Sequence, residues 1–415
     1  MNKIFFGLIF IAFGFTCFQQ VNHLPTQDVI GPMAALSQSV IDSSNSAVTL
    51  AIGLIGIMAF FLGLMKVAEN GGLLKSLNYL LRPFLIKLFP DIPKDHPAMG
   101  SIIMNMSANM MGLANAATPF GIKAMQELEE INPNKGTASD SMILFLALNT
   151  SSVTLLPTGV IALRASAGSI DPAGILPTTL FATFCSTVTA IIIAKLFTKF
   201  KNKNKSKLKA PKVKLSWPHY LFAFSLLSAI PLLILFGASA SPYMIPVLIV
   251  SIFLYGVINK VPIYEAMVDG AKDGFNIAVK IIPFLVTILV GIGMFRASGA
   301  LDFFINYLSK ITNLFGLPGE ALPMALLRPL SGSGAYGVLA ATIENPSIGP
   351  DSYIGYLVST IQGSTETTFY VLAVYFGAVQ IKKMRHALPV ALIADLAGVI
   401  GAVIACRLMF GHLIN

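Results

Sequence analysis

Two apolar stretches, Tyr353 to Ile361 and Phe369 to Val379, flank the run Gln362-Gly363-Ser364-Thr365-Glu366-Thr367-Thr368. Together they exceed the roughly 20 helical residues that cross a bilayer core. The polar run therefore stands near the middle of a membrane-length segment. A carboxylate at that depth costs roughly 2.5–3.5 kcal/mol on insertion scales, and hydroxyls and amides are costly without partners. Asn149-Thr150-Ser151-Ser152-Val153-Thr154 interrupts a second apolar segment in the same way. Such groups persist where they face a cavity or a buried polar partner. The two breaks are therefore expected to line one shared polar site.

Composition supports the membrane setting. Of 415 residues, 55% are hydrophobic and 11% charged, with a mean hydropathy of +0.76; a soluble domain carries about 25% charge. The net charge of +9 is not a nucleic-acid footprint. Nine lysines (Lys195, Lys199, Lys201, Lys203, Lys205, Lys207, Lys209, Lys212 and Lys214) fall in one short stretch. They mark a cytoplasmic loop able to touch anionic lipid. Cys17, Cys185 and Cys406 lie far apart in apolar segments and read as small core residues rather than a disulfide framework. The five histidines show no metal-ligand spacing, and no cofactor is expected. There is no Walker A loop and no His-Glu-x-x-His, and Ser331-Gly332-Ser333-Gly334 lacks the nucleophile-elbow spacing. Neither an ATP-driven machine nor an enzyme is indicated.

Along the chain, residues 4–18 read as a first apolar helix or, less well, as a signal peptide. Residues 20–45 are expected outside. A helix is expected at 47–65 and an amphipathic interfacial helix at 71–90. The stretch 99–118, rich in Gly, Ala, Asn, Ser and Met, fits a re-entrant hairpin buried in protein, with a charged surface helix at 120–131. Residues 139–163 hold the first break and Pro157, which removes a backbone donor. Spans follow at 175–198, then, after the lysine linker, as a hairpin at 219–236 and 243–259, opened by the interfacial aromatics Trp217 and Tyr220.

The first half then recurs. Asp42-x-x-Asn45-x-Ala47-Val48 matches Asp273-x-x-Asn276-x-Ala278-Val279. Gly71-x-Leu73 with Asn78-Tyr79-Leu80 matches Gly299-x-Leu301 with Asn306-Tyr307-Leu308. The hairpin at 99–118 corresponds to residues 326–334, and Asn149-Thr150-Ser151-Ser152-x-Thr154 to Gln362-Gly363-Ser364-Thr365-x-Thr367. If the lysine linker is inside, counting crossings makes the second copy inverted relative to the first, as in many secondary transporters. Lys66, Lys75, Arg82, Lys87, Lys94, Lys382, Lys383 and Arg385 then fall inside, and the stretch around Glu344 and Asp351 outside. The fold expected is an all-α polytopic membrane protein, with two inverted repeats, interrupted helices, re-entrant hairpins and about nine spans. Its N-terminus would be cytoplasmic and its C-terminus outside.

The candidate site residues come from the breaks and hairpins. Glu366 is either a solute or coupling-ion acceptor or a carboxylate paired with Arg328 that fixes packing. Arg328 could equally snorkel to the interface. Asn105, Asn109 and Asn115 either contact a ligand or bond freed backbone across the hairpin. Gln362, Ser364, Thr365 and Thr367, with Asn149, Ser151, Ser152 and Thr154 opposite, either contact solute or cap half-helices. Ser331 and Ser333 stand at the second hairpin. Asp395, alone in the span at 388–410, is a proton-site or buried-pair candidate. Met104, Met106, Met110 and Met111 read as flexible packing rather than a metal path.

The segment Gly112-Leu113-Ala114-Asn115-Ala116-Ala117-Thr118-Pro119-Phe120-Gly121-Ile122-Lys123-Ala124-Met125 resembles spore maturation proteins A and B. So do Arg328-Pro329-Leu330-Ser331-Gly332-Ser333-Gly334 and Gln362-Gly363-Ser364-Thr365-Glu366-Thr367-Thr368-Phe369-Tyr370. The two appear joined here, A-like over 1–198 and B-like over 215–415, with 199–214 as linker. The resemblance implies the nucleoside-recognition Gate domain, related to domains of concentrative nucleoside transporters and of FeoB-type iron transporters, whose GTPase part this chain lacks. It implies a multi-pass protein of the bacterial inner membrane. The functional expectation is a permease for a small polar, nucleoside-like solute; the rival is a non-transporting scaffold of the envelope. Membrane lipids are expected partners and nucleic acid is not; a coupling ion and a homo-oligomer are left open.

Overall fold

Apolar segments in lipid satisfy their backbone polar groups internally, and this chain does so with helices. The computed structural model describes residues 2–22, 31–112, 114–201, 216–312 and 315–414. Among them no strand forms; one isolated bridge joins Thr137 and Lys383. The lysine linker lies almost wholly outside the described residues.

The helices are α1 (Asn2–Val21), α2 (Pro32–Asn70), α3 (Leu73–Leu88), α4 (Pro97–Met110), α5 (Ala114–Glu130), α6 (Asp140–Thr150), α7 (Thr158–Ser166) and α8 (Leu176–Lys201). They continue as α9 (Trp217–Ile258), α10 (Ile263–Ala297), α11 (Ala300–Thr312), α12 (Leu322–Leu327), α13 (Gly332–Ile343), α14 (Tyr353–Ser364), α15 (Thr368–Ala378) and α16 (Ala387–Phe410). The run α2–α8 recurs element for element as α10–α16. The turn glycines with left-handed backbone are Gly72 (φ +87°) and Gly299 (φ +71°). The structural counterpart of Gly299 is thus one residue later than the matched Gly71.

Equivalent helices of the two copies pack against each other, and they run antiparallel. A Cβ added at Gly270 would strike Leu62 and Gly63, one at Gly274 would strike Ala59, and one at Gly293 would strike Ser43. Numbers rise along α10 as they fall along α2. Likewise Gly401 lies against Ala182 and Cys185, Gly398 against Ser186, and the Ser186 hydroxyl donates to the Ala394 carbonyl (2.8 Å), so α8 and α16 are antiparallel. Small residues let these backbones approach, the usual means of helix association in membranes. The repeats are inverted, as the parity of crossings required.

Three boundaries differ from expectation. The helix expected at 47–65 begins at Pro32, so part of the 20–45 stretch is helical, with Asp42 and Asn45 on exposed turns. The first hairpin turns at Met111 and Gly112, and its second arm is helical from Ala114 to Glu130. A separate helix at 120–131 does not exist; Pro119 lies within the second turn of this arm and removes a single intrahelical bond. The third difference concerns α9, which is helical over 42 residues and would measure about 63 Å if straight. Yet the His219 ring reaches the Tyr79 carbonyl (3.2 Å) and the Tyr255 hydroxyl reaches that of Ser76 (3.4 Å). Ser76 and Tyr79 are neighbours on one face of α3, so α9 doubles back within its helical run, as the expected two-span hairpin must.

Three described helices are long and apolar enough to cross a membrane: Pro32–Asn70, Leu176–Lys199 and Ala387–Leu413. Arginine pairs close the two ends of the broken helices. At one end Arg164, fully buried, pairs with Asp351 (2.9 Å), donates to the Pro350 carbonyl (2.6 Å) and lies 4.2 Å from the centre of the Tyr356 ring. At the other, Arg385 pairs with Asp140 (2.7 Å) and donates to the Ala138 carbonyl (2.9 Å).

Candidate functional site

Helix interruption frees backbone groups, and each break here is satisfied by a hairpin tip of its own repeat. The first break, residues 151–157, receives the tip of α4–α5: the Leu155 N–H donates to the Met110 carbonyl (3.0 Å). That tip turns at Gly112, whose φ of +72° suits glycine. The second break, residues 365–367, receives the tip of α12–α13: the Phe369 N–H donates to the Pro329 carbonyl (3.0 Å). The two breaks then meet directly, as the Glu366 N–H donates to the Thr150 carbonyl at the end of α6 (2.8 Å). The shared location expected from sequence is therefore present.

Between the breaks lies a cavity of about 210 Å³. This is below the roughly 300–1,000 Å³ of pockets for drug-sized ligands, so it suits a small solute. Of the candidate residues, Asn109, Ser152, Thr154, Arg328, Gln362 and Glu366 line it. Arg328 does not snorkel. Its side chain is 5% exposed, 3.5 Å from the Glu366 carboxylate, which is 40% exposed. It donates to the Thr367 hydroxyl (3.1 Å) and to the Thr365 carbonyl. Among the described residues its Nε has no partner, and neither does Gln362 Oε1, although Gln362 is 3% exposed.

The other described candidates bond to protein. Asn105 donates to the Ala117 carbonyl (2.8 Å), across the hairpin, and to the Tyr375 hydroxyl (3.1 Å). Asn149 Oδ1 accepts from Asn109 (2.9 Å) and from Tyr375 (3.1 Å), joining α4, α6 and α15. The Ser151 hydroxyl donates to the Leu148 carbonyl (3.0 Å). Ser331 caps α13 by accepting from the Gly334 N–H (3.0 Å), and the Ser333 hydroxyl lies 3.4 Å from that of Ser331. The hydroxyls of Ser364 and Thr365 donate back to the Ile361 carbonyl (3.3 Å each), and Thr367 holds Arg328. The side chain of Asn115 lies outside the described residues. Asp395 accepts from the Thr368 hydroxyl (2.6 Å) and is buried. Met106, Met110 and Met111 are core residues. Among the described residues no His, Cys, Asp and Glu cluster could hold a metal.

Sequence reasoning missed Tyr336, Thr158 and Gly159, which also line the cavity. A Cβ at Gly159 would strike the Tyr336 hydroxyl, so that glycine makes room for the ring. The available signal was spacing: Tyr336 stands four residues after Gly332, on one helix face. Chemically the cavity offers a carboxylate, an amide oxygen and a guanidinium on one wall, with hydroxyls opposite. This set can bind a solute that presents donors and an acceptor side by side.

The nucleoside-recognition Gate family matches residues 51–167 and 278–382, more than half of the chain, once in each repeat. Spore maturation protein B of Bacillus subtilis is 54% identical over 168 residues, 40% of this chain and 93% of that protein. Spore maturation protein A of the same organism is 48% identical over 167 residues, 40% of this chain and 85% of that protein. A solved structure of CNTnw in an outward-facing state covers 98% of this chain and 92% of its own, with a TM-score of 0.43 and 14% identity. The chain thus belongs to the nucleoside-recognition Gate family and joins spore maturation A-like and B-like sequence in one polypeptide.

Proposed function

We propose that this protein is a secondary permease for a small polar solute of nucleoside type, bound in the cavity between the two helix breaks. One observation carries the reading: Gln362 Oε1 and Arg328 Nε are buried without partners, on residues that line the cavity. A buried polar atom left unpaired costs about 1–3 kcal/mol, and a solute supplying the missing donor and acceptor removes that cost. In this reading Glu366 and Gln362 accept from solute hydroxyl or N–H groups and Arg328 donates. Asn109, Ser152 and Thr154 complete the lining. Asn105, Asn149, Ser151, Ser331, Ser333, Ser364, Thr365 and Thr367 position them, and Asn115 keeps its place as a candidate. An ion gradient is the energy source this reading requires.

The charges at the ends support a cytoplasmic N-terminus and an external C-terminus. Lys135, Lys382, Lys383 and Arg385 gather at one end, where the Lys382 N–H donates to the Gly136 carbonyl (2.9 Å). Asp171, Glu344 and Asp351 belong to the other. The positive-inside rule places the first end in the cytoplasm. The division into residues 1–198, 199–214 and 215–415 belongs to the same proposal. A scaffold without transport is the rival, and it would have the breaks packed shut; the lined cavity weighs against it.

The test is uridine and adenosine binding to, and uptake by, the full chain in proteoliposomes, with Glu366→Gln as the variant. Uptake that falls in the variant while the protein stays folded is the expected result. Unchanged uptake removes Glu366 from the mechanism, and no binding of any small polar solute favours the scaffold.

A further inference from the structure

The two repeats are not covered equally. On the first, α9 lies against α2 and α3 with both of its passes: Phe222 from one, and Leu248, Ile249 and Phe253 from the other, join the cluster around Leu64, Val67 and Leu74. On the second, α1 takes the corresponding place against α10 and α11, with Ala12 buried beside Phe295 and Ala300. But α1 is a single pass of 20 residues. Beside it a cavity of about 530 Å³ remains between α1, α10, α11, α12 and α13. Its walls are almost wholly apolar, from Leu8 and Ile11 on α1 to Leu326 and Leu327 on α12. Apolar cavities stay dry, so an apolar occupant has to come from lipid or protein.

Arg296 near the end of α10, Asp302 on α11 and Glu320 before α12 also line it, and all three are exposed. Among the described residues none of the three forms a salt bridge. One cation and two anions beside an apolar hollow match a headgroup that carries a phosphate and a primary ammonium. We propose that this cavity binds one acyl chain of a phosphatidylethanolamine molecule, with Arg296 on its phosphate and Asp302 and Glu320 on its ammonium. The lipid stands beside α1, on the face of the second repeat that this single helix leaves open. Leu327 and Leu330 wall the cavity and flank Arg328 in sequence, so the lipid backs the hairpin tip from the side opposite the solute. This site is independent of what the central cavity transports.

Native mass spectrometry of the full chain decides it. The protein is equilibrated in micelles with equal amounts of phosphatidylethanolamine, phosphatidylglycerol and phosphatidylcholine, and the retained lipid is counted. One phosphatidylethanolamine per chain is expected. Ala341→Phe fills the hollow and should lower retention at least about tenfold, since several methylenes lose their burial. The pair Asp302→Asn with Glu320→Gln leaves the hollow intact and should abolish the preference over phosphatidylcholine. Size-exclusion elution and thermal unfolding monitor the fold of each variant. Equal retention of all three lipids overturns the assignment. So does retention that neither set of substitutions changes, or a second copy of the chain found in place of lipid.

Discussion

The two helix breaks descend from one sequence pattern and have diverged in chemistry. The first, residues 151–157, is neutral, and most of its polar groups are bonded to protein. Ser151 is bonded to Leu148 and within 3.1 Å of the Thr187 hydroxyl, Thr183 donates to the carbonyls of Ser151 and Ser152, and the Asn149 oxygen takes two donors. The second, residues 365–367, carries Glu366 and gathers two atoms without a partner among the described residues, Arg328 Nε from the hairpin tip and Gln362 Oε1 from α14. Inverted duplication places them against each other, and in the proposed reading divergence leaves the first mainly as frame and the second as the charged part of the recognition surface. Polar groups fully satisfied by protein rigidify a site; those left unsatisfied are available to a ligand.

Substitutions can break that contrast. The largest effect is expected for Arg328→Ala, which strips the Thr365 carbonyl, the Thr367 hydroxyl and the Glu366 carboxylate of their donor. Two buried acceptors lose a charged donor, about 1.5–3 kcal/mol each, while the 40%-exposed Glu366 carboxylate adds little, so thermal unfolding should show a large drop and solute binding should be lost. Asn149→Ala attacks the frame of the first break and leaves Asn109 and the Tyr375 hydroxyl without their acceptor. The expected stability loss is about 1–3 kcal/mol, with solute affinity lowered less than stability. Glu366→Gln attacks recognition alone. Because the carboxylate is 40% exposed, stability should change by less than about 1 kcal/mol, while equilibrium binding weakens about tenfold or more. Gln362→Met should be the mildest for the fold. It removes an unpaired oxygen, so unfolding should be unchanged or slightly later, while binding falls. Should Gln362→Met destabilise as strongly as Asn149→Ala, the distinction between frame and recognition surface fails.

Much of this was legible because membrane depth makes polar residues conspicuous. Glu366, Gln362 and the Asn149–Thr154 run stood out against apolar flanks, and the order of the repeated motifs gave the inverted duplication. What stayed hidden depends on partners distant in sequence. Arg164 resembles any arginine at a helix end, yet its ligands Pro350 and Asp351 lie 186 and 187 residues away, and only the antiparallel crossing of α7 and α14 brings them together. Tyr336 is one ring in an apolar helix until Gly159 of the other repeat opens space for its hydroxyl. Whether Ser331 and Ser364 cap or contact solute could not be read from type, because a hydroxyl does either; geometry assigns both to backbone. The boundary expected between the hairpin at 99–118 and a helix at 120–131 is absent, because α5 continues through Pro119.

Cysteine accessibility at the mouth of the central cavity tests the account most directly. Thr158→Cys, in a chain whose own three cysteines are replaced, lines the cavity with a thiol. The account predicts labelling of the reconstituted protein by a water-soluble thiol reagent, and slower labelling in the presence of uridine. A thiol at position 158 that stays inert, while a control Ser347→Cys on the α13–α14 loop reacts fully, would mean that no wet pocket exists between the breaks.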